Sequence, residues 1–148
     1  MIKPGPHNAK ALRSVKNIKR IFDKGIHNAL YEVGAENLRY MKSLLDQEKS
    51  GRTYIFQGEE HIASAPGEPP ANRSGILKSS MDYQVHGTDR LEFGDKTIPG
   101  RAPVGSYLEL GTENIEARSH IEKTARDRQQ EVYTALGANV KQELYSRR

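Results

Sequence analysis

From Ile18 the apolar residues Ile18, Phe22, Ile26, Ala29, Leu30, Val33, Tyr40, Met41, Leu44 and Leu45 recur at helical spacing, so that they line one face. The stripe predicts a helix over about residues 16–48, ending near Gly51, where glycine suits a left-handed C-terminal position. Gly25 and Gly34 are its weak points, at a cost of up to about 1 kcal/mol each. In "RTYIFQGEEHIAS" two short β-prone runs, Tyr54–Phe56 and His61–Ala63, flank a glycine-bearing turn. They predict a hairpin that projects, because two such strands are marginal alone in water. In "MDYQVHGTDRLEFG" the alternation is clean. Met81, Tyr83 and Val85 share a face, "GTD" turns the chain, and Leu91 and Phe93 continue that face.

Between the two strand pairs lies "SAPGEPPANRSGILKSSM". Pro66, Pro69 and Pro70 fix φ and remove three backbone donors, which excludes both sheet pairing and helix. Asn72 or Ser74 then caps a short helix through about Ser80, with Ile76 and Leu77 facing inward. "DKTIPGRAPVG" reads as loop, and "SYLELGT" fits either a strand or one helical turn. A second amphipathic helix is expected from Ile121 to the end, with Ile121, Ala125, Val132, Leu136, Val140 and Leu144 inward and a bend at Gly137. Its outward face carries Lys123, Arg126, Asp127, Arg128 and Glu131. The predicted fold is α+β: a long N-terminal helix, a small antiparallel sheet with a projecting hairpin, and a C-terminal helix packed alongside. Phe22, Ile26, Val33 and Leu44 should meet the sheet face bearing Tyr83, Val85, Leu91 and Phe93.

Composition narrows the class. In 148 residues the apolar fraction is 35% and the mean hydropathy −0.78, which allows one modest core with segments ordered by partners. The absence of cysteine excludes disulfides and thiolate metal sites. No run approaches the roughly 18 apolar residues of a membrane span, and the first ten residues lack a signal peptide's apolar block. A cytosolic, non-membrane protein is therefore expected. Of the net charge of +4, seven cations against Asp23 put +6 into residues 1–24, leaving −2 for the rest. Residues 1–15 are read as a flexible basic arm and 16–148 as a single domain. The arm suits nucleic acid or an acidic protein surface, yet no aromatic residues interleave the charges as single-strand binding would want.

Catalytic patterns are missing. The five histidines are scattered, with no pair at i, i+4, and "EEH" at 59–61 lacks the second histidine of a zincin. Among Asp89, Glu92 and Asp95, the first two fall on opposite faces of a strand, and no nucleophile accompanies them. Ser79 and Ser80 have no local base, and "PGRAPVGS" lacks the spacing of a phosphate loop. The expectation is no enzyme, no catalytic residue, no cofactor and no metal.

Two segments carry a resemblance. Arg73, Ser74, Gly75, Leu77 and Ser80 occupy the positions of an "Asp-Thr-Gly-x-Leu-x-x-Ser" helix start that follows a proline-rich stretch. Tyr107, Leu108, Glu109, Gly111 and Thr112 match "Tyr-Leu-Glu-aromatic-Gly-Thr", with Leu110 at the aromatic position, and Ala117-Arg118 match the beginning of "Ala-Arg-Pro-Phe". In these, and in element order, the chain resembles the small tail-component and head–tail joining proteins of long-tailed bacteriophages. Arg73 departs from the aspartate, and Ser119-His120 from the proline-phenylalanine. The resemblance implies a structural virion protein, a neck or tail-completion subunit that forms a homo-oligomeric ring of six at the top of the tail. Its partners would be other connector and tail proteins, with DNA passing through the lumen; it would be made in the host cytoplasm.

On this reading Ser74, Gly75, Leu77, Tyr107, Glu109, Gly111, Thr112 and Arg118 form the structural motif. Tyr54, Phe56, Pro66, Pro69 and Pro70 are candidate assembly contacts. The proline loop either lowers the ordering entropy on assembly or merely reverses the chain between hairpin and helix. Glu109, among apolar neighbours, either pairs bidentately with Arg118 or faces solvent. The alternative function is a small nucleic-acid-binding protein that uses the basic arm.

Overall fold

The computed structural model describes residues 6–97 and 99–146. The chain folds as α+β, with a long first helix, two small antiparallel sheets and a last helix packed on the first. Helix α1 runs Pro6–Asp46, ten residues upstream of the expected start. Leu12 and Val15 extend the apolar stripe backwards at spacings of three, and proline is at ease in a first turn. The described part of the expected arm is therefore helical; residues 1–5 lie outside the described residues.

Strands β1 (Thr53–Phe56) and β2 (Glu59–Ile62) pair antiparallel from Thr53↔Ile62 to Phe56↔Glu59. The turn is two residues, Gln57 and Gly58, at φ 53° and 84°, the left-handed pair that suits a tight hairpin. It is thus shorter than the four-residue "QGEE" expected, because Glu59 and Glu60 belong to β2. Helix α2 (Ile76–Ser80) leads directly into β3 (Met81–His86), which pairs with β4 (Arg90–Asp95) in the register Tyr83↔Phe93 and Val85↔Leu91. This is the alternation the sequence showed. The ambiguous "SYLELGT" segment is helical, as α3 (Val104–Leu110).

Beyond it the chain forms α4 (Ile121–Asp127) and α5 (Gln129–Tyr145), broken at Arg128 rather than bent at Gly137. The break re-phases the two halves. Thr124 and Glu143 are buried instead of Ala125 and Leu144, which are exposed, while Val132, Leu136 and Val140 are half-buried as expected.

The core consists of Ala29, Leu30, Val33, Met41, Leu44, Leu45 and Met81. Leu38, Tyr40, Leu77, Phe93 and Ile121 pack around its lower end. The two helix-weakening glycines are where partners come closest. A Cβ on Gly34 would lie 2.2 Å from Tyr83 Cδ2, and one on Gly25 would lie 2.7 Å from the Val140 Cα. Glycine there admits the β3 ring and the α5 backbone against α1, which offsets its poor helix propensity. Helix α5 runs antiparallel to α1: Asn139 donates to Glu32 at 2.7 Å, and Lys24 meets Glu143 at 2.9 Å.

Phe22 is the exception to the expected core. It is 42% exposed, because α5 ends alongside this turn and leaves the stripe above it uncovered. Ile76, expected to face inward, is also exposed, while Leu77 packs on the core.

Gly34→Ala should lower the melting temperature, by overpacking worth about 1–3 kcal/mol against Tyr83, although alanine is the better helix former. Gly137→Ala, where a Cβ meets nothing within 4 Å, should raise it by up to about 1 kcal/mol. Thermal melts of the two variants check both signs, and stabilisation by both would refute the close approach at Gly34.

Candidate functional site

The proline loop is tied to the body at two points. Glu68 accepts from the amide N–H of Ala65 at 2.8 Å and from Ser50 N–H at 3.1 Å. Asn72 donates its backbone N–H to Leu45 O and its side chain to Asp46, and its Oδ1 accepts from Gly75 N–H at 3.1 Å. Asn72 therefore braces the turn before α2 rather than capping it, and Gly75 itself is the cap residue, at φ 73°. Neither Asn72 nor Ser74 makes a side-chain cap there. Pro69 and Pro70 are buried and Pro66 is exposed. The loop reverses the chain against the end of α1, which is the second of its two expected roles.

This reversal opens a cavity of about 430 Å³ between the loop, α2 and α3. Tyr54, Pro70, Ser74, Gly75, Leu77 and Arg118 all line it, so residues from both resembling segments border one cavity. Arg73, also on the wall, stacks its guanidinium 4.2 Å from the Phe56 ring centroid, which ties the hairpin to the loop. Pro66, Pro69, Tyr107, Glu109, Gly111 and Thr112 do not line the cavity.

Glu109 has neither of its expected fates. Arg118 sends Nε–H to Ser64 O at 3.2 Å and its backbone N–H to Leu108 O at 2.6 Å. The Glu109 carboxylate, 13% exposed, instead accepts from the amide N–H groups of His120 (2.7 Å), Ile121 (2.9 Å) and Glu122 (2.8 Å), and from Ser119 Oγ–H (2.8 Å). It caps α4 from another element, satisfying amides that a helix start leaves unpaired and facing the positive end of the helix dipole. Burial works to raise its pKa, but the amides of Glu122, Ile121 and His120 and the Ser119 hydroxyl outweigh it, and the net shift is downward.

Against this cap sits His120, 0% exposed. Its Nε2 meets Asp95 Oδ2 at 2.7 Å. Its Nδ1 stands 3.1 Å from Glu109 Oε2, within ion-pair range but without hydrogen-bond geometry. Asp95 ends β4 and packs over Gly105, where a Cβ would come within 2.1 Å of Oδ2. One histidine thus links the sheet, α3 and α4. Its two nitrogens face different carboxylates, so the three groups do not converge on a point. Among the described residues no group of three or more histidines, cysteines and carboxylates is placed to hold a metal ion.

Gly111, at φ 75°, lets the chain turn under α3; a Cβ there would meet Ile115 O at 2.9 Å. Thr112 then bridges Ile115, and its Oγ1 accepts from Asn114 N–H. Sequence reasoning weighed Asp95 only among strand carboxylates and Ser119-His120 only as departures from the resemblance, and brought none of them to this corner. A usable signal did exist, since Ser119-x-x-Glu122 has the form of a capping box. In the fold, however, Ser119 donates to Glu109 and the cap comes from ten residues upstream.

No family model, curated protein or solved structure matches the chain.

Because folding depresses the Glu109 pKa, its stabilisation is complete above the ordinary carboxylate value of 4.5. It is lost as pH falls through the lower folded value. Glu109→Gln should cost about 1–3 kcal/mol at neutral pH and make the acid limb of the stability–pH curve shallower than in the parent chain. Denaturant melts of both proteins from neutral pH to about pH 3 check this. Arg118→Gln should add to it without coupling, since the two side chains have separate partners.

Proposed function

We propose that the chain is a structural protein of a long-tailed phage's head–tail junction, assembling as a ring of six at the top of the tail. The observation that carries this reading is the convergence of its two resembling segments. Ser74, Gly75 and Leu77 line the same cavity as Arg118, and Glu109, Gly111 and Thr112 belong to the α3–α4 corner. Glu109 is a helix cap, Gly75 and Gly111 are positive-φ turns, Leu77 is an apolar contact, and Arg118 and Thr112 hold neighbouring backbone. Such an arrangement shapes surfaces. The projecting hairpin and the exposed Leu12, Val15, Ile18 and Phe22 of α1 supply surface for neighbours. No helix among the described residues is long and apolar enough to cross a membrane.

The nucleic-acid reading keeps one supporting observation. Lys10, Arg13, Lys16 and Arg20 lie exposed on α1 without a carboxylate partner among the described residues. Light scattering and negative-stain imaging, with and without duplex DNA at two salt concentrations, separate the two. The ring reading expects a discrete multimer whose mass is indifferent to DNA. A chain that stays monomeric and binds DNA with a steep salt dependence would overturn it in favour of nucleic-acid binding.

A further inference from the structure

Arg118 is a half-buried cation in the lining of the cavity between the proline loop, α2 and α3. Its Nε–H is donated to the carbonyl of Ser64, which is buried and lines the same space. That bond fixes the guanidinium against the cavity. No carboxylate pairs with it among the described residues, and Glu109, its expected partner, is committed to the start of α4. Drawing a charge partly out of water is costly unless a counter-charge compensates.

The rest of the lining is cationic too. Arg73, Lys96 and Arg101 border the space, and Asp95 is the one carboxylate among the described lining residues. Lys96 is paired with Asp82, and Arg73 lies against the Phe56 ring. Arg101 is exposed and has no carboxylate partner among the described residues. Asp95 offers little opposition to an anion. Its side chain is only 10% exposed, Oδ2 meets His120, and Oδ1 is sealed from solvent.

Between the charges the walls are apolar, with Pro70, Leu77, Val104 and Leu108 among them. The volume of about 430 Å³ lies within the roughly 300–1,000 Å³ of small-molecule sites, which combine apolar walls with a few placed charges. A guanidinium whose Nε–H is engaged still presents its two terminal nitrogens side by side, a fork that matches the two oxygens of a carboxylate.

We propose that this cavity binds a small organic carboxylate. Its apolar body packs on Pro70, Leu77, Val104 and Leu108, its carboxylate meets the terminal nitrogens of Arg118, and Arg101 adds attraction from the exposed side. An inorganic anion would leave the apolar walls unfilled, and a neutral molecule would leave Arg118 without a counter-charge. All of these residues belong to one chain, so the site stands apart from the ring reading and is the same in a monomer or a multimer.

Octanoate is the probe, added to the full chain, with octanol as the same body without charge and inorganic phosphate as charge without the body. Backbone amide shifts followed by NMR report both affinity and place. Octanoate should shift Leu77, Val104 and Arg118 saturably and bind at least tenfold more tightly than octanol or phosphate. Arg118→Gln should weaken octanoate at least tenfold and leave octanol unchanged, while Arg101→Gln should weaken octanoate by less. Since Arg118→Gln also removes the bond to Ser64, Val104→Trp provides a second route. Val104 is 51% exposed, and a tryptophan there fills the cavity with Arg118 left in place, so octanoate binding should be lost. Melting of each variant verifies that it is folded. Octanol or phosphate binding as tightly as octanoate overturns the proposal, as does octanoate binding that Arg118→Gln and Val104→Trp both retain. Lack of saturation by about 10 mM octanoate, ten times a millimolar Kd, overturns it as well. A glutamate-bearing peptide that occupies the cavity in preference to octanoate assigns it to a protein partner instead.

Discussion

Strands β3 and β4 and helices α4 and α5 depend on one face of α1 for their cover. Two-stranded sheets are marginal alone in water, and α2, α3 and α4 are each seven residues or fewer, too short to persist unsupported. Burial of Ala29, Leu30, Val33, Met41, Leu44 and Leu45 against β3, β4, α4 and α5 provides the support. The approach is close only because Gly25 and Gly34 present no side chain to Val140 and Tyr83. Each glycine weakens the isolated helix and improves the packed one. Local propensity and tertiary packing pull in opposite directions there, and packing wins because a whole ring or helix backbone occupies the space that a methyl would take.

A second dependence lies at the corner between α3 and α4. Three amides at the start of α4 and the Ser119 hydroxyl converge on Glu109, and His120 reaches from that corner to Asp95 at the end of β4. A buried carboxylate is tolerated where hydrogen bonds and a favourable dipole compensate its desolvation. With the corner held, α3 stands where it closes the cavity and presents Tyr107 and Leu110 outward. The polar network and the outward apolar side chains are therefore one piece of architecture.

The body has little apolar surface to bury, and it leaves large apolar side chains exposed on most of its elements. Leu12, Val15, Ile18 and Phe22 cluster on the first turns of α1, and Tyr107, Leu110 and Ile115 on α3 and the turn after it. Single exposed apolar residues are ordinary, whereas grouped ones stand out from the rest of a surface. The low hydropathy fits the small core.

Periodicity along the chain was enough to determine α1 from Ile18 onward, the β3–β4 pair with its face of Tyr83, Val85, Leu91 and Phe93, the short helix after the prolines and the α+β class. These are local patterns: the period of the apolar residues selects the element, and the phase selects its face. Tertiary structure decided the rest. Periodicity cannot say where a covering element stops, so Phe22 reads like core although α5 ends beside it. A single helical phase through residues 121–148 hides the break at Arg128, which exchanges Ala125 and Leu144 for Thr124 and Glu143. Among the candidate site residues, Ser74, Gly75, Leu77 and Arg118 were legible as a group, but the partner of Glu109 was not. A carboxylate choosing between a nearby arginine and a helix start depends on the direction in which the intervening chain turns. That direction was settled by the positive φ of Gly111 and by the Asp95–His120 contact, which joins residues 25 positions apart in sequence.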